Sequence, residues 1–221
     1  MGLMLKPAVR WKVRAYLDHW ESPWLRFGIN QPSHGREYLF RVDYELKRKH
    51  LFYMQMVYEE KMEDYISTNN PVKKAASRER YRFRVHFNNH INKKVELRTR
   101  LELTRFVHIQ SQSRGVMLFQ DIIYKSIESP LSFTFRMANF DTDDYDSRIY
   151  AYENTVLNEF RIPAYFRSGI RYYLNLRYKL KDLIMAELRF ARTQLSKESG
   201  FGTGNEQIDG DKRTEFKFQL R

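Results

Sequence analysis

Cysteine is absent from all 221 residues. That absence removes disulfide frameworks, thiolate metal sites and cysteine nucleophiles together. No run approaches the roughly 18 apolar residues of a membrane-spanning helix, which excludes transmembrane helices but leaves transmembrane strands open. The opening stretch MGLMLKPAVRWKV has no apolar core before Lys6 and Pro7, so it is not a secretory signal. Gly2 is not followed by a myristoylation signal either, because Lys6 stands where Ser or Thr is required. No Ser/His/Asp order, HExxH or nucleophile elbow is present, so neither an enzyme nor a cofactor is expected.

What is present is aromatic and basic. Aromatic residues make up 15% of the chain, with 15 Tyr and 16 Phe. A disordered chain would be poor in them, so this one folds. The formal charge is +12, from 39 Lys+Arg against 27 Asp+Glu. Such an excess permits contact with nucleic acid or acidic lipid without requiring it.

Period-two alternation recurs along the whole length, the mark of strands with two unlike faces. In RYRFRVHF (80–87), Arg80, Arg82, Arg84 and His86 interleave with Tyr81, Phe83, Val85 and Phe87. Val9, Trp11, Val13, Ala15 and Leu17 oppose Arg10, Lys12, Arg14, Tyr16 and Asp18. Further on, Tyr38, Phe40, Val42, Tyr44 and Leu46 oppose Glu37, Arg41, Asp43 and Glu45, and Phe52, Met54, Met56 and Tyr58 share one parity. VELRTRLEL sets Val95, Leu97, Leu101 and Leu103 against Glu96, Arg98, Arg100 and Glu102.

The second half repeats the theme. Leu131, Phe133, Phe135 and Met137 form one parity of PLSFTFRMANF, with Arg136 on the other. Leu174 and Leu176 oppose Arg171 and Arg177, Leu188 and Phe190 oppose Glu187 and Arg189, and Phe216 and Phe218 oppose Glu215 and Lys217. GVMLFQDIIYK (115–125) alternates less cleanly, WLRFGI (24–29) is a shorter strand, and RIYAYENTVL (148–157) is a strand of mixed character.

The pattern predicts about eleven strands. One helix candidate lies within 59–77, where EEKMEDYIS could form a turn or two. Tight turns fall at KRKH (47–50), NNHINK (88–93) and KLKD (179–182), and long polar connections at 61–78 and 193–212. Short turns alternating with long loops are a barrel habit. Strand counting nevertheless puts KLKD and SIESP (126–130) on opposite rims, so either a strand near 158–168 is missing or one outer loop is short. Segments 8–17, 36–46, 51–60, 94–104, 170–180 and 213–221 match the roughly 9–11 residues of a membrane-spanning strand better than the shorter strands of soluble domains.

Three other features invite chemistry. Asp141, Asp143, Asp144 and Asp146 crowd FDTDDYDS, a weak calcium candidate without the glycine and terminal glutamate of an EF-hand. His86 and His90 are four apart but have no carboxylate near them in sequence to complete a zinc site. The glycines of GFGTGNEQIDG (200–210) fit neither a dinucleotide fingerprint nor a P-loop. Nucleic-acid binding through the basic strands meets a geometric objection, because stacking aromatics and phosphate-binding arginines must share a face and here they alternate.

PWLRFGINQPSHGREYLFRVDYELKRKHLFYMQMVYEEK, FDTDDYDSRIYAYENTVL, GIRYYLNLRYKL and GTGNEQIDGDKRTEFKFQLR together resemble the C-terminal part of a Bacteroidota family. Its members are large helix-hairpin-helix domain-containing proteins of the outer membrane, and DTDDYDSRIYAYEN is the most specific piece. The resemblance implies an outer-membrane β-barrel, with outer-membrane lipid, the barrel-assembly machinery and the remaining strands of a longer parent chain as partners. It carries no catalytic residues. The family's signal peptide and helix-hairpin-helix region have no counterpart here, and the chain stops at Leu220-Arg221 rather than at the aromatic residue common in barrel proteins. Both observations favour a fragment.

The expectation is therefore one domain over 1–221: an all-β, antiparallel, membrane-type barrel of about 10–12 strands, or the C-terminal part of a larger one. Its place would be a Gram-negative outer membrane. Tyr81, Phe83, Val85, Phe87, Leu174, Leu176, Phe216 and Phe218 are expected to face lipid. Arg80, Arg82, Arg84, Arg98, Arg100, Arg177, Arg189 and Lys217 are expected to line a hydrated, net-basic lumen that would favour anions if it conducts. The role would be solute passage or an envelope structural or assembly task. The rival is a soluble all-β protein that binds nucleic acid through its basic strand faces.

Overall fold

The computed structural model describes residues 1–221 apart from 47–48, 68–69, 110, 181–183, 197–199, 203–204, 206 and 208. Its strands are β1 (Gly2–Ala8), β2 (Trp11–Ser22), β3 (Ser33–Leu46), β4 (His50–Ser67), β5 (Asn70–His90), β6 (Val95–His108) and β7 (Ser111–Tyr124). They continue with β8 (Leu131–Thr142), β9 (Ile149–Tyr150), β10 (Ala164–Tyr165), β11 (Ser168–Leu180), β12 (Ile184–Leu195) and β13 (Lys212–Leu220). Eleven of them form one sheet in chain order, every neighbouring pair antiparallel, while β9 and β10 make a separate two-stranded ladder. The all-β antiparallel expectation holds. The sheet is open: β1 and β13 are its edges.

Four local expectations are corrected. The described residues of the polar stretch 61–78 are neither loop nor helix, because β4 and β5 pair from His50↔Asn89 out to Tyr65↔Lys74. Cross-strand partners such as Arg78–Glu63 at 2.8 Å satisfy its charges, which is why a polar composition still makes a strand. WLRFGI is a turn closed by one bridge, Arg26↔Ile29. RIYAYENTVL is no strand of the sheet, and only Ile149–Tyr150 pairs, with Ala164–Tyr165. Once that strand is removed the rim conflict disappears. The connection 125–130 and the end of β11 lie at the same rim, Tyr178 pairing with Leu131, while residues 181–182 of KLKD lie outside the described residues; 143–167 is one long connection at the other rim.

The segment 143–167 folds over one face of the sheet, here called the inner face. Its Ile149, Ala151 and Tyr165 pack on Met117, Phe119, Ala138, Phe140 and Leu195 to form the buried apolar cluster of the molecule. This explains the imperfect alternation of β7. Its inner face carries Met117 and Phe119 because protein covers it, and its outer face carries Val116, Leu118 and Ile122. Gly115 permits the closest approach, since a Cβ there would meet the Ser147 carbonyl oxygen at 2.5 Å.

Candidate functional site

The inner face is a lattice of charge. On β2–β6, Arg14 pairs with Asp43 at 2.6 Å and Arg41 with the same carboxylate at 2.7 Å. Arg82 lies 3.5 Å from Glu37 and 3.7 Å from Glu59. Arg84 Nη2 donates to Glu102 at 3.1 Å, Arg98 pairs with Glu96 at 2.5 Å, and Arg100 reaches Glu102 at 3.4 Å. Every basic residue expected to face inward shares this face, and β5 supplies Arg80, Arg82 and Arg84 on one parity. Arg80 bonds to a backbone group instead of a carboxylate: its Nη2 donates to the Asp146 carbonyl at 3.1 Å.

The densest part lies where 143–167 crosses β8, β11, β12 and β13. Glu153 is fully buried. Arg171 donates to it through Nε at 2.6 Å and Nη2 at 3.0 Å, Arg189 Nη2 at 2.5 Å, and the Tyr165 hydroxyl at 2.6 Å. Burial alone would raise this carboxyl's pKa, but the Arg171 bond and charge, the Tyr165 hydroxyl and the Arg189 charge outweigh it and hold it at about 2.

Around that centre, Arg136 forks onto Asp121 at 2.5 and 2.7 Å and donates to the Tyr152 carbonyl at 2.6 Å. Arg189 also donates to the Asn154 carbonyl, and the Tyr173 hydroxyl accepts the Asn154 N–H at 3.2 Å. Glu187 accepts the Leu157 N–H at 2.7 Å while pairing with Arg177 at 2.5 Å. Arg161 reaches Glu215 at 2.7 Å, and Lys217 pairs with Glu159. The wall thus holds the segment by its backbone carbonyls and amides as well as by charge. Below it a cavity of about 220 Å³ remains, lined by Thr134, Asn154, Arg177 and Glu187 among others.

Three of the anticipated cations, Arg177, Arg189 and Lys217, belong to this lattice. Glu153, Arg136, Asp121 and Arg171 were not singled out from sequence. The available signal was a carboxylate inside the apolar stretch IYAYENT, which alternation alone assigned to an ordinary strand.

The candidate calcium ligands do not converge. Asp143 accepts the Arg114 N–H at 2.8 Å, and Asp144 caps its own turn through the N–H groups of Asp146 at 2.8 Å and Ser147 at 3.0 Å. Among the described residues no three His, Asp or Glu side chains gather as a metal site would require. His86 instead accepts from Arg100 Nε at 3.3 Å within the charged face.

The outer face is the converse. Tyr81, Phe83, Val85, Phe87, Leu174, Leu176, Phe216 and Phe218 all lie on it, beside Phe40, Met54, Met56, Leu101, Leu103, Leu118 and Met137. Met56 is 58% exposed, Phe216 64% and Leu118 50%, whereas Arg189 on the opposite face is fully buried. A row of tyrosines edges this apolar belt, Tyr38 stacked on Tyr58 with centroids 5.7 Å apart and Tyr58 tilted against Tyr81 at 5.0 Å.

The belt also crosses the register obliquely. Paired positions run Val42, Met54, Val85, Leu101, Leu118 and then Asn139, by which point the apolar stretch of β8 has slid to Leu131–Met137. A level band across tilted strands has this geometry.

No protein-family model matches the chain, and no curated protein matches it.

Proposed function

We propose that this chain is the wall of an outer-membrane β-barrel in a Gram-negative envelope. Its hydrated, net-basic interior would serve solute passage or an envelope structural or assembly role. One observation carries the reading: the two faces are inverted relative to a soluble sheet. Apolar and aromatic side chains stand bare on the outer face while arginines, glutamates and aspartates pair on the inner one. A soluble protein does not leave so continuous an apolar band uncovered, whereas lipid is its natural solvent. On β3 the band runs from Tyr38 to Leu46, roughly 27 Å along the strand at about 3.4 Å per residue, which a tilt of about 40° projects to about 21 Å of height, comparable with the about 25 Å apolar band of outer-membrane barrels.

Strand direction adds a constraint. In a sheet of eleven alternating strands, β1 and β13 run the same way. Antiparallel closure then takes an odd number of further strands, consistent with a larger barrel of which this is one part. The unpaired backbone of both edges would be costly in lipid without them. For the soluble nucleic-acid reading, the arginines are poorly placed, because Arg82, Arg84 and Arg98 already hold carboxylates.

The test is extraction of the full chain. It should partition with membranes until detergent is added, and migrate differently on a gel when unboiled. Recovery in the soluble fraction, with salt-steep binding to DNA, would replace this reading with the rival.

A further inference from the structure

The tyrosine row of the outer face does not stop at β5. Its next two positions along the register are Arg105 on β6 and Arg114 on β7, and these are direct cross-strand partners. Arg114 stands just beyond Val116, the apolar outer-face residue of β7 nearest that rim, and Arg105 lies between Leu103 and Val107 on β6. Like charges placed opposite one another destabilise a ladder unless something lies between them.

The contacts shown by the two residues among the described residues leave their charges in place. With its amide oxygen turned inward, Gln112 accepts from Arg105 Nε at 2.8 Å and Nη2 at 3.1 Å, which orients the guanidinium without changing its charge. Arg114 engages Asp143 through its backbone N–H.

Beneath the two arginines lies an outer-face groove of about 820 Å³, lined by Tyr58, Tyr81, Phe83, Leu103 and Val116. Asp141 and Asp143 approach its far end from β8.

We propose that this groove is a binding site for a phosphorylated lipid of the surrounding membrane. The phosphate would lie on Arg105 and Arg114, and acyl chains against Tyr81, Phe83, Leu103 and Val116. The assignment rests on the membrane reading above and names the ligand chemistry of one place on that surface. Guanidinium forks suit phosphate bidentately, and on β7 the pair stands where the apolar run ends past Val116, the level of a headgroup. The carboxylates of Asp141 and Asp143 direct the phosphate toward the Arg105 side. The β6–β7 turn lies at the rim that also bears the 143–167 connection, which places the site in the leaflet facing the long loops.

The experiment uses the full chain refolded in zwitterionic detergent, with short-chain phosphatidic acid as probe and phosphatidylcholine of equal chain length as control, read by native mass spectrometry. Phosphatidic acid should be retained, and retention should fall at least tenfold in R105A/R114A. R105K/R114K, which keeps both charges but not the planar forks, should retain an intermediate amount. Equal retention of phosphatidylcholine, undiminished binding by R105A/R114A, or full displacement by inorganic phosphate at matched concentration would each overturn the site. Flotation of the same preparations with vesicles separates the two ideas. If the parent chain fails to float, the membrane reading falls and takes the site with it. If it floats while R105A/R114A binds the probe normally, the site alone is wrong.

Discussion

Glu153 and Arg171, eighteen residues apart in sequence, form a two-point ion pair in the interior, Nε to Oε1 at 2.6 Å and Nη2 to Oε2 at 3.0 Å. One partner belongs to a connection between strands and the other to the wall, so the pair is the main bolt between them. Arg189, at 2.5 Å, shares the carboxylate. Two buried guanidiniums therefore converge on one buried carboxylate, and Arg171 has a second, longer contact with Glu215 at 3.4 Å.

Removal of that carboxylate should cost more than its hydrogen bonds. E153Q leaves Arg189 buried without a counter-charge and Arg171 with only the more distant Glu215, at 3.4 Å, and breaking such a pair typically costs about 3–5 kcal/mol. Denaturant unfolding of the detergent-refolded chain should show a loss of this order, and protease should cut within 143–167. Parental stability in E153Q would show that the segment is held by apolar contacts alone.

The same bolt sets an acid limit. Glu153 has its pKa lowered from 4.5 to about 2, so the folded state binds its proton less readily than the unfolded chain does. The pair's contribution is therefore complete above about pH 4.5 and is lost progressively as pH falls through about 2. Protease resistance of 143–167 should persist at pH 5 and disappear towards pH 2. E153Q, which cannot titrate there, should show no such transition.

Gly115 offers a steric test. A Cβ at this position would lie 2.5 Å from the Ser147 oxygen and 2.9 Å from methyl carbons of Thr104 and Thr142. G115V should push the segment off the wall while the ladders of β7 persist. Far-ultraviolet circular dichroism should be unchanged as proteolysis of 143–167 quickens, and any conductance should rise.

Leu118 separates lipid from water. It is half exposed on the outer face, so in a soluble protein L118R would cost little. Facing lipid near mid-depth, the same change should cost about 2–4 kcal/mol, read as a lower denaturation midpoint in bilayers. A neutral result there would count against the membrane reading.

If the interior conducts, the arginines of β5 should bias it. R80E/R82E removes two inner-face cations and adds two anions, one of them at the position that touches the Asp146 carbonyl. Reversal potentials in planar bilayers should show anion preference for the parent and a shift towards cations in the variant.

Much of the wall was legible in the residues. Alternation placed Tyr81, Phe83, Val85 and Phe87 on one face and Arg80, Arg82 and Arg84 on the other, because side chains of a strand can only alternate. The same rule failed at RIYAYENTVL, where Ile149, Ala151 and Glu153 alternate with Tyr150 and Tyr152 yet build no wall strand. Local pattern reports which residues want burial, not what buries them. It also failed at 61–78, where charges that suggested a loop find partners across a hairpin.

By itself, then, the sequence determined an antiparallel all-β chain with one apolar and one charged face, since both follow from a period of two. Only the tertiary structure decided that 143–167 turns inward, that Glu153 gathers Arg171 and Arg189, and that Arg105 meets Arg114 at the edge of the belt. Those contacts join residues remote in sequence, and their energies depend on burial and register, which no local pattern encodes.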